Sequence, residues 1–144
     1  MARIKIEIPG NPIYRVSVPV RITDINYGNH LGNDSMVSII HEARMSFLKA
    51  NNYSELDIGG TSLIMGDLAI EYLNESFYGD VLNISIMAGD ITRLSFDLIY
   101  LLEVNREEKN ITIARAKTGM VCFDYTNRKL MSMPEKFRQL LTGS

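Results

Sequence analysis

One segment, from Ser35 to Asn51, has the periodicity of a long amphipathic helix, and no other stretch of the sequence does. Its apolar residues recur every three or four positions and leave only a narrow polar stripe. These apolar residues are Met36, Val37, Ile39, Ile40, Ala43, Phe47 and Leu48. A helix with so wide an apolar arc has to be covered on most of its sides. The rest of the chain must therefore supply a surface that wraps around a single helix.

Strands are predicted to supply that surface. Alternating apolar and polar residues, separated by turn signals, indicate strands at Tyr14–Thr23, Thr61–Asn74, Gly79–Ile91, Ser95–Asn105 and Asn110–Tyr125. Pro19 predicts that its strand lies at a sheet edge or carries a bulge, because proline cannot donate to the hydrogen-bond ladder. Residues 2–8 are expected to form a further short edge strand. Pro134 is expected to open a short helix from Glu135 to Leu141.

The order of these elements is strand, long helix and four long strands, without an internal repeat or a linker. We therefore expect one domain, 1–144, of the α+β class, with a long antiparallel sheet around a central helix. Such a half-open sheet leaves an edge strand without a neighbour. Pairing with a second copy would satisfy that edge, so a homodimer or homotetramer is expected.

Charge and cysteine content exclude several classes of protein. The formal net charge is -2, which provides no basic field for nucleic acid. Cys122 is the sole cysteine, so neither an intramolecular disulfide nor a cysteine-based metal cluster is expected. The N-terminus lacks the apolar block of a signal peptide, and no uncharged run approaches the ~18 residues of a membrane span. These features predict a cytoplasmic protein that is not bound to a membrane.

The loop that leads into the helix gathers the polar groups useful for chemistry. It contains Asp24, Asn26 and His30, and it ends at Asn33 and Asp34, either of which is expected to cap the helix. The first backbone amides of a helix lack intrahelical acceptors and lie at the positive end of its dipole. If the protein carries out a reaction, this loop is the place where we expect it.

The segment from Arg21 onwards carries a motif of spaced polar residues. It reads Arg21-x-x-Asp24-x-Asn26-x-x-Asn29-His30-x-Gly32-Asn33, followed by Glu42-Ala43-Arg44, Tyr72, Gly79-Asp80 and Arg93-x-Ser95-Phe96. In these motifs, and over nearly its whole length, the chain resembles the 4-hydroxybenzoyl-CoA thioesterase family of acyl-CoA thioesterases. The resemblance implies a hotdog fold, in which an antiparallel sheet wraps one helix. It also implies hydrolysis of an acyl-CoA, with coenzyme A entering as part of the substrate and no separate cofactor.

The resemblance is imperfect at the catalytic carboxylate. The family has a second Asp where this sequence has Asn26, and a neutral amide neither takes up a proton nor forms an acyl intermediate. The family's first paired Asn is Gly32 here, and its Gly before His is Asn29. The leading hypothesis is an acyl-CoA thioesterase that uses another base. The alternatives are a non-catalytic acyl-thioester-binding protein and an enoyl-CoA hydratase-like enzyme, whose Asp-x-Asn-Pro-x-His motif is only loosely matched.

What the resemblance implies can be assigned residue by residue. In the thioesterase hypothesis the Asn33 amide binds the thioester carbonyl, while Asn26 and His30 orient water and Glu42 or Asp34 acts as the base. Each residue also has a structural interpretation, as a helix cap, a loop tie or an ion-pair partner. Three cations are candidates for the coenzyme A phosphates: Arg93, Arg128 and Lys129. No metal site is predicted.

Overall fold

The computed structural model describes residues 3–143. The elements are β1 (Tyr14–Pro19), a 3-10 turn (Ile22–Asp24), α1 (Asn33–Ala50), β2 (Ser62–Tyr72), β3 (Val81–Gly89), β4 (Ser95–Arg106), β5 (Lys109–Asp124), β6 (Lys129–Leu130) and α2 (Glu135–Thr142). Among these residues no helix combines the length and the apolar character needed to cross a lipid bilayer.

The strands form one antiparallel sheet in the order β1-β3-β4-β5-β2, with β6 added to the end of β5. β1 and β2 are therefore the two edges of the sheet. Helix α1 joins these two edge strands and packs on one face of the sheet. The predicted α+β hotdog architecture is confirmed.

The core lies between α1 and alternate residues of the inner strands. Phe47 of α1 is fully buried and belongs to the same apolar cluster as Leu98 of β4. β5 contributes only small side chains to the middle of this face, Ala114, Ala116 and Thr118, all of them fully buried. Small residues there allow the helix to approach the sheet closely, which explains how one helix can be enclosed on so many sides.

The N-terminal segment differs from its prediction. Residues 3–8 form no strand, and residue 2 lies outside the described residues. Ile6 instead packs with Met87 and Ile99 on the outer face of the sheet, and its amide donates to Glu71 Oε1 at 3.2 Å. The alternation of charged and apolar residues, which is typical of a strand, here serves to bury one side chain against the sheet.

The start of α1 also differs. The prediction that Asn33 or Asp34 caps the helix is wrong, because Gly32 is the N-cap and makes no side-chain cap bond. Asn33 and Asp34 are the first two residues inside the helix. The preceding strand ends at Pro19, earlier than predicted, and β1 is an edge strand as the proline indicated.

Candidate active site

The loop before α1 is held by a buried carboxylate. Asp24 is 4% exposed, and its oxygens accept hydrogen bonds from the amide and the guanidinium of Arg21 at 2.9 to 3.3 Å. Burial alone would raise the pKa of Asp24, but these hydrogen bonds hold it below its ordinary value. The backbone oxygen of Asp24 accepts from the Gly32 amide at 3.0 Å. Asp24 thus orders the loop, and both of its carboxylate oxygens are engaged.

Asn26 closes the tight turn that follows. Its Oδ1 accepts hydrogen bonds from the backbone amides of Gly28 at 2.9 Å and His30 at 3.4 Å. The backbone amide of Asn26 in turn donates to the His30 carbonyl at 2.9 Å. Asn29 has a φ of 68°, a left-handed conformation that asparagine and glycine tolerate best. This explains why asparagine can stand where the family has glycine. The side chain of Asn26 therefore serves at least to hold the turn.

The orientation of His30 is fixed by its neighbour. Nδ1 lies 3.2 Å from the Leu31 carbonyl oxygen. Because a carbonyl oxygen only accepts, the proton of the neutral ring is on Nδ1, and Nε2 is left as an acceptor. The ring can therefore receive a hydrogen bond from water or from a ligand.

Two amides at the start of α1 have no acceptor among residues 3–143. The amides on either side of them are bonded: Gly32 donates to the Asp24 carbonyl, and Ser35 donates to Asp34 Oδ1 at 2.9 Å. The free groups are the backbone amides of Asn33 and Asp34, at the positive end of the helix dipole. Such a pair can bind an oxygen that carries or develops negative charge.

A pocket of about 260 Å³ lies at the start of α1, with Asn33 in its wall. It lies between the start of α1, the end of β2 and the loop that leads to β3, and it is lined by His30, Leu31, Asn33, Met36, Tyr72, Leu73, Asn74, Glu75, Ser76 and Ile113. The Leu31 amide donates to the Ser76 carbonyl at 2.7 Å, which ties the two loops together. The pocket therefore has apolar walls and polar groups at the helix start, and it lies beside the end of β2, an edge strand of the sheet.

The segment from Tyr72 to Ser76 was not predicted as part of a site. Tyr72 and Leu73 are 46% and 38% exposed, although both are large apolar residues. Partial burial raises the pKa of Tyr72, so its phenol remains a neutral hydrogen-bond donor. The sequence signal that could have indicated this wall is a pair of large apolar residues at the end of a strand, followed at once by polar residues.

The predicted carboxylates occupy different places. Asp34 lies at the helix start, beside the free amides. Glu42 lies nine residues beyond Asn33, which corresponds to about 13 Å along the helix axis. It lines a separate pocket of about 360 Å³ with Val18 and Pro19, on the β1 side of the helix. The structure therefore brings Asp34, but not Glu42, to the helix start of the same chain.

The three predicted phosphate ligands also lie away from the pocket. Arg93 is in the turn between β3 and β4 and donates to Ser132 Oγ at 2.7 Å. Arg128 is in the turn between β5 and β6, and Lys129 is the first residue of β6. These turns are at the opposite end of the sheet from Tyr72, and the 11 residues of β2 span about 35 Å. Within one chain, these cations and the pocket do not come together.

Among residues 3–143, neither a metal-binding cluster nor a cysteine adjoins the pocket. No group of three or more His, Cys, Asp or Glu residues among 3–143 is placed to hold a metal ion. Cys122 is fully buried in the core, and burial raises the pKa of its thiol to about 11. The thiol is therefore protonated at neutral pH and out of reach of a ligand in the pocket.

Comparisons with known proteins agree with this architecture. The family described as the Thioesterase-like superfamily matches residues 20–141. A protein of Aquifex aeolicus (strain VF5) named "Putative esterase" is 28% identical over 131 residues, which cover 90% of this chain and 96% of that protein. The 1,4-dihydroxy-2-naphthoyl-CoA thioesterase from Synechocystis has a similar structure, with a TM-score of 0.78 and 20% identity over 90% of this chain and 95% of the other.

A mutant of 4-hydroxybenzoyl CoA thioesterase, in which one aspartate is replaced by asparagine, was solved in complex with 4-hydroxybenzoyl CoA. Its TM-score is 0.79 at 13% identity, over 89% of this chain and 97% of the other. The structural likenesses show the shared fold, and the family match runs from the loop before α1 to the last helix. The chain belongs to the thioesterase-like superfamily.

Proposed function

We propose that the protein is a thioesterase that hydrolyses acyl-CoA thioesters. The observation that carries this proposal is the pocket at the start of α1, where Asn33, whose backbone amide is unbonded, and His30 meet an apolar wall. Membership of the thioesterase-like superfamily supports thioester hydrolysis, and the two structural neighbours described above are named as CoA thioesterases. An apolar wall suits an acyl group, and the amides suit its carbonyl oxygen.

In the proposed reaction the thioester carbonyl oxygen accepts hydrogen bonds from the Asn33 and Asp34 amides. Negative charge develops on this oxygen as water attacks, and donors at the positive end of the helix dipole stabilise that charge. Asn26 and His30 orient the water. A nearby carboxylate takes up its proton, and the coenzyme A thiol leaves. No cofactor is needed beyond the coenzyme A moiety of the substrate.

We further propose that the active form is a homodimer joined at β2. β2 is an edge strand, and the pocket opens beside its end. Antiparallel pairing of two β2 strands would bring the far end of the second sheet to this pocket. That end carries Arg128 of the partner subunit and Lys129 of the partner subunit, so the predicted phosphate ligands would come from the second copy.

The experiment is a panel of acyl-CoAs, from short to long chain and including aryl thioesters, with free thiol release followed by a chromogenic thiol reagent. We expect steady-state turnover of at least one thioester. Glu135→Gln, which alters an exposed acid in the first turn of α2, is the control and should behave as the parent. Absence of turnover across the panel would contradict the proposal.

One observation favours a second candidate, a non-catalytic acyl-thioester-binding protein. Asn26 is neutral, and its Oδ1 is already engaged by the Gly28 and His30 amides. In this case acyl-CoA would raise the melting temperature without releasing thiol. Thermal unfolding in the presence of a non-hydrolysable acyl-CoA thioether, compared with thiol release from the thioester, distinguishes the two functions.

A further inference from the structure

The carboxylate of Asp34 lies over Gly32. A Cβ atom built on Gly32 would be 2.9 Å from Asp34 Oδ1 and 3.4 Å from Asn26 Cβ. The first distance is shorter than real Cβ contacts, so any side chain at position 32 would displace the carboxylate. Gly32 has φ -77° and ψ 157°, an extended conformation that every residue adopts. Glycine at this position therefore provides room for a neighbouring side chain rather than freedom of the backbone.

The hydrogen bonding of Asp34 leaves it able to react. Oδ1 accepts from the Ser35 amide at 2.9 Å, which holds the side chain in place, and Oδ2 accepts no hydrogen bond from residues 3–143. By contrast, both oxygens of Asp24 are bound to Arg21. Asp34 is thus an exposed carboxylate with a free oxygen, one residue from the Asn33 amide and beside the side chain of Asn26.

The other nearby acids are less well placed. Glu42 lies on the β1 side of the helix, so a second copy paired at the opposite β2 edge would not bring it to the pocket. Glu75 lines the pocket and Asp34 does not, but Glu75 lies on the loop after β2, whereas Asp34 follows the lining residue Asn33 at the helix start. For a carbonyl bound at the Asn33 and Asp34 amides, Asp34 is the carboxylate closest along the chain.

We infer that Asp34 is the catalytic base of the proposed thioester hydrolysis and that Gly32 is the positioning residue that gives its carboxylate room. This inference rests on the proposed function. The Asp34 carboxylate takes a proton from water, and the water oxygen forms a bond to the thioester carbon. The carbon–sulfur bond then breaks, and the departing thiolate receives the proton from Asp34. The products are a carboxylic acid and a thiol, and no other reactant is required.

The first test is Asp34→Asn, measured as thiol release from the acyl-CoA that the parent hydrolyses fastest. General base catalysis contributes about 100-fold or more, so we expect kcat to fall at least about 100-fold with KM within about twofold of the parent. The matched control is Glu135→Gln, which also alters an acid in the first turn of a helix. A fall of less than about tenfold for Asp34→Asn overturns the inference, as does a loss of turnover in Glu75→Gln but not in Asp34→Asn.

A second pair of variants separates catalysis from a structural role. Gly32→Ala should lower kcat at least about tenfold at unchanged KM, because the new methyl group displaces the carboxylate. The double variant Asn26→Asp, Asp34→Asn should have a kcat at least about tenfold higher than that of Asp34→Asn alone, because a carboxylate returns to the same space. Parent-like kcat in Gly32→Ala, or no recovery in a folded double variant, contradicts the placement. If the parent hydrolyses none of the thioesters, the proposed function and this inference are both overturned. If the parent and the Asp34→Asn variant are both active, only the inference is overturned.

Discussion

At the scale of single residues, the loop before α1 depends on Asp24. Its carboxylate is buried, and Arg21 lowers its pKa below the ordinary value despite that burial. A carboxyl group whose pKa is lower in the folded state stabilises the fold above its unfolded pKa, which is about 3.9. This stabilisation is lost as the pH falls through the folded pKa, where the group is protonated in both states.

We predict that Asp24→Asn lowers the free energy of unfolding at pH 7 by about 2 kcal/mol, because a buried, charge-assisted hydrogen bond is lost. The difference from the parent should shrink as the pH falls below about 4. Urea unfolding at several pH values measures it. Asp57→Asn is the comparison, since Asp57 is an exposed turn residue that also accepts two backbone amides. A difference that persists undiminished at pH 2 would contradict this role for Asp24.

The residue types at the site were predictable, but their roles were not. The sequence placed Asn26, His30, Asn33 and Asp34 in one loop, whereas in the structure Asn26 and His30 are in the loop and Asn33 and Asp34 are the first residues of α1. The sequence also suggested Glu42 as a base. Helical periodicity shows which residues lie on the same face of a helix, but it does not show which edge of the sheet that face points toward. The wall from Tyr72 to Ser76 lies some 40 residues further along the chain, so only the strand order could reveal it.

At the scale of elements, the hairpin between β4 and β5 is tighter than its sequence indicates. The predicted strands end at Asn105 and begin again at Asn110, but Arg106 and Lys109 are also paired strand residues. Glu107 and Glu108 alone form the turn, with φ of 52° and 66°. Left-handed conformations at both central positions are those of a type I′ turn, which favours Asn-Gly. The charged side chains between the two strands are typical of a loop, but the backbone hydrogen bonding of β4 and β5 continues as far as Arg106 and Lys109.

We predict that the double variant Glu107→Asn, Glu108→Gly raises the free energy of unfolding by about 1 kcal/mol, because these residues adopt left-handed conformations at lower cost. Urea unfolding of parent and variant measures the change. The kcat for thioester hydrolysis should remain that of the parent. A less stable variant would mean that the glutamate side chains contribute interactions that outweigh the backbone cost.

At the scale of the whole molecule, the sheet has an open edge beside the pocket. The alternating pattern predicted the five strands from Tyr14 onwards and their enclosure of α1, and the structure confirms both, whereas residues 3–8 do not form the further strand that was expected. The same pattern could not show that β1 and β2 would be the two edges, because strand order depends on packing between distant segments. The open β2 edge is the basis of the proposed dimer, in which each pocket is completed by the second copy.

We predict that Met65→Lys yields a monomer with lower kcat. Met65 is 41% exposed near the middle of β2, where pairing about a two-fold axis would bring the two new lysines close together. Sedimentation velocity gives the mass, and thiol release gives kcat. Val81→Lys is the control, because Val81 is 47% exposed but pairs with Pro19 at the opposite side of the sheet. A parent that sediments as a monomer, or a Met65→Lys variant that remains a fully active dimer, would contradict the proposed interface.

The most direct measurement compares kcat of Asn33→Pro with kcat of Asn33→Ala on the best acyl-CoA substrate. Proline is tolerated at the first position of a helix, and the extended conformation of Gly32 suits the residue before a proline. Asn33→Pro therefore removes the backbone donor, whereas Asn33→Ala removes only the side chain. If the thioester carbonyl binds this amide, kcat should be about 100-fold lower for the proline variant than for the alanine variant. Equal kcat in the two folded variants would show that the Asn33 amide does not stabilise the reacting oxygen, and the account of the site would be wrong.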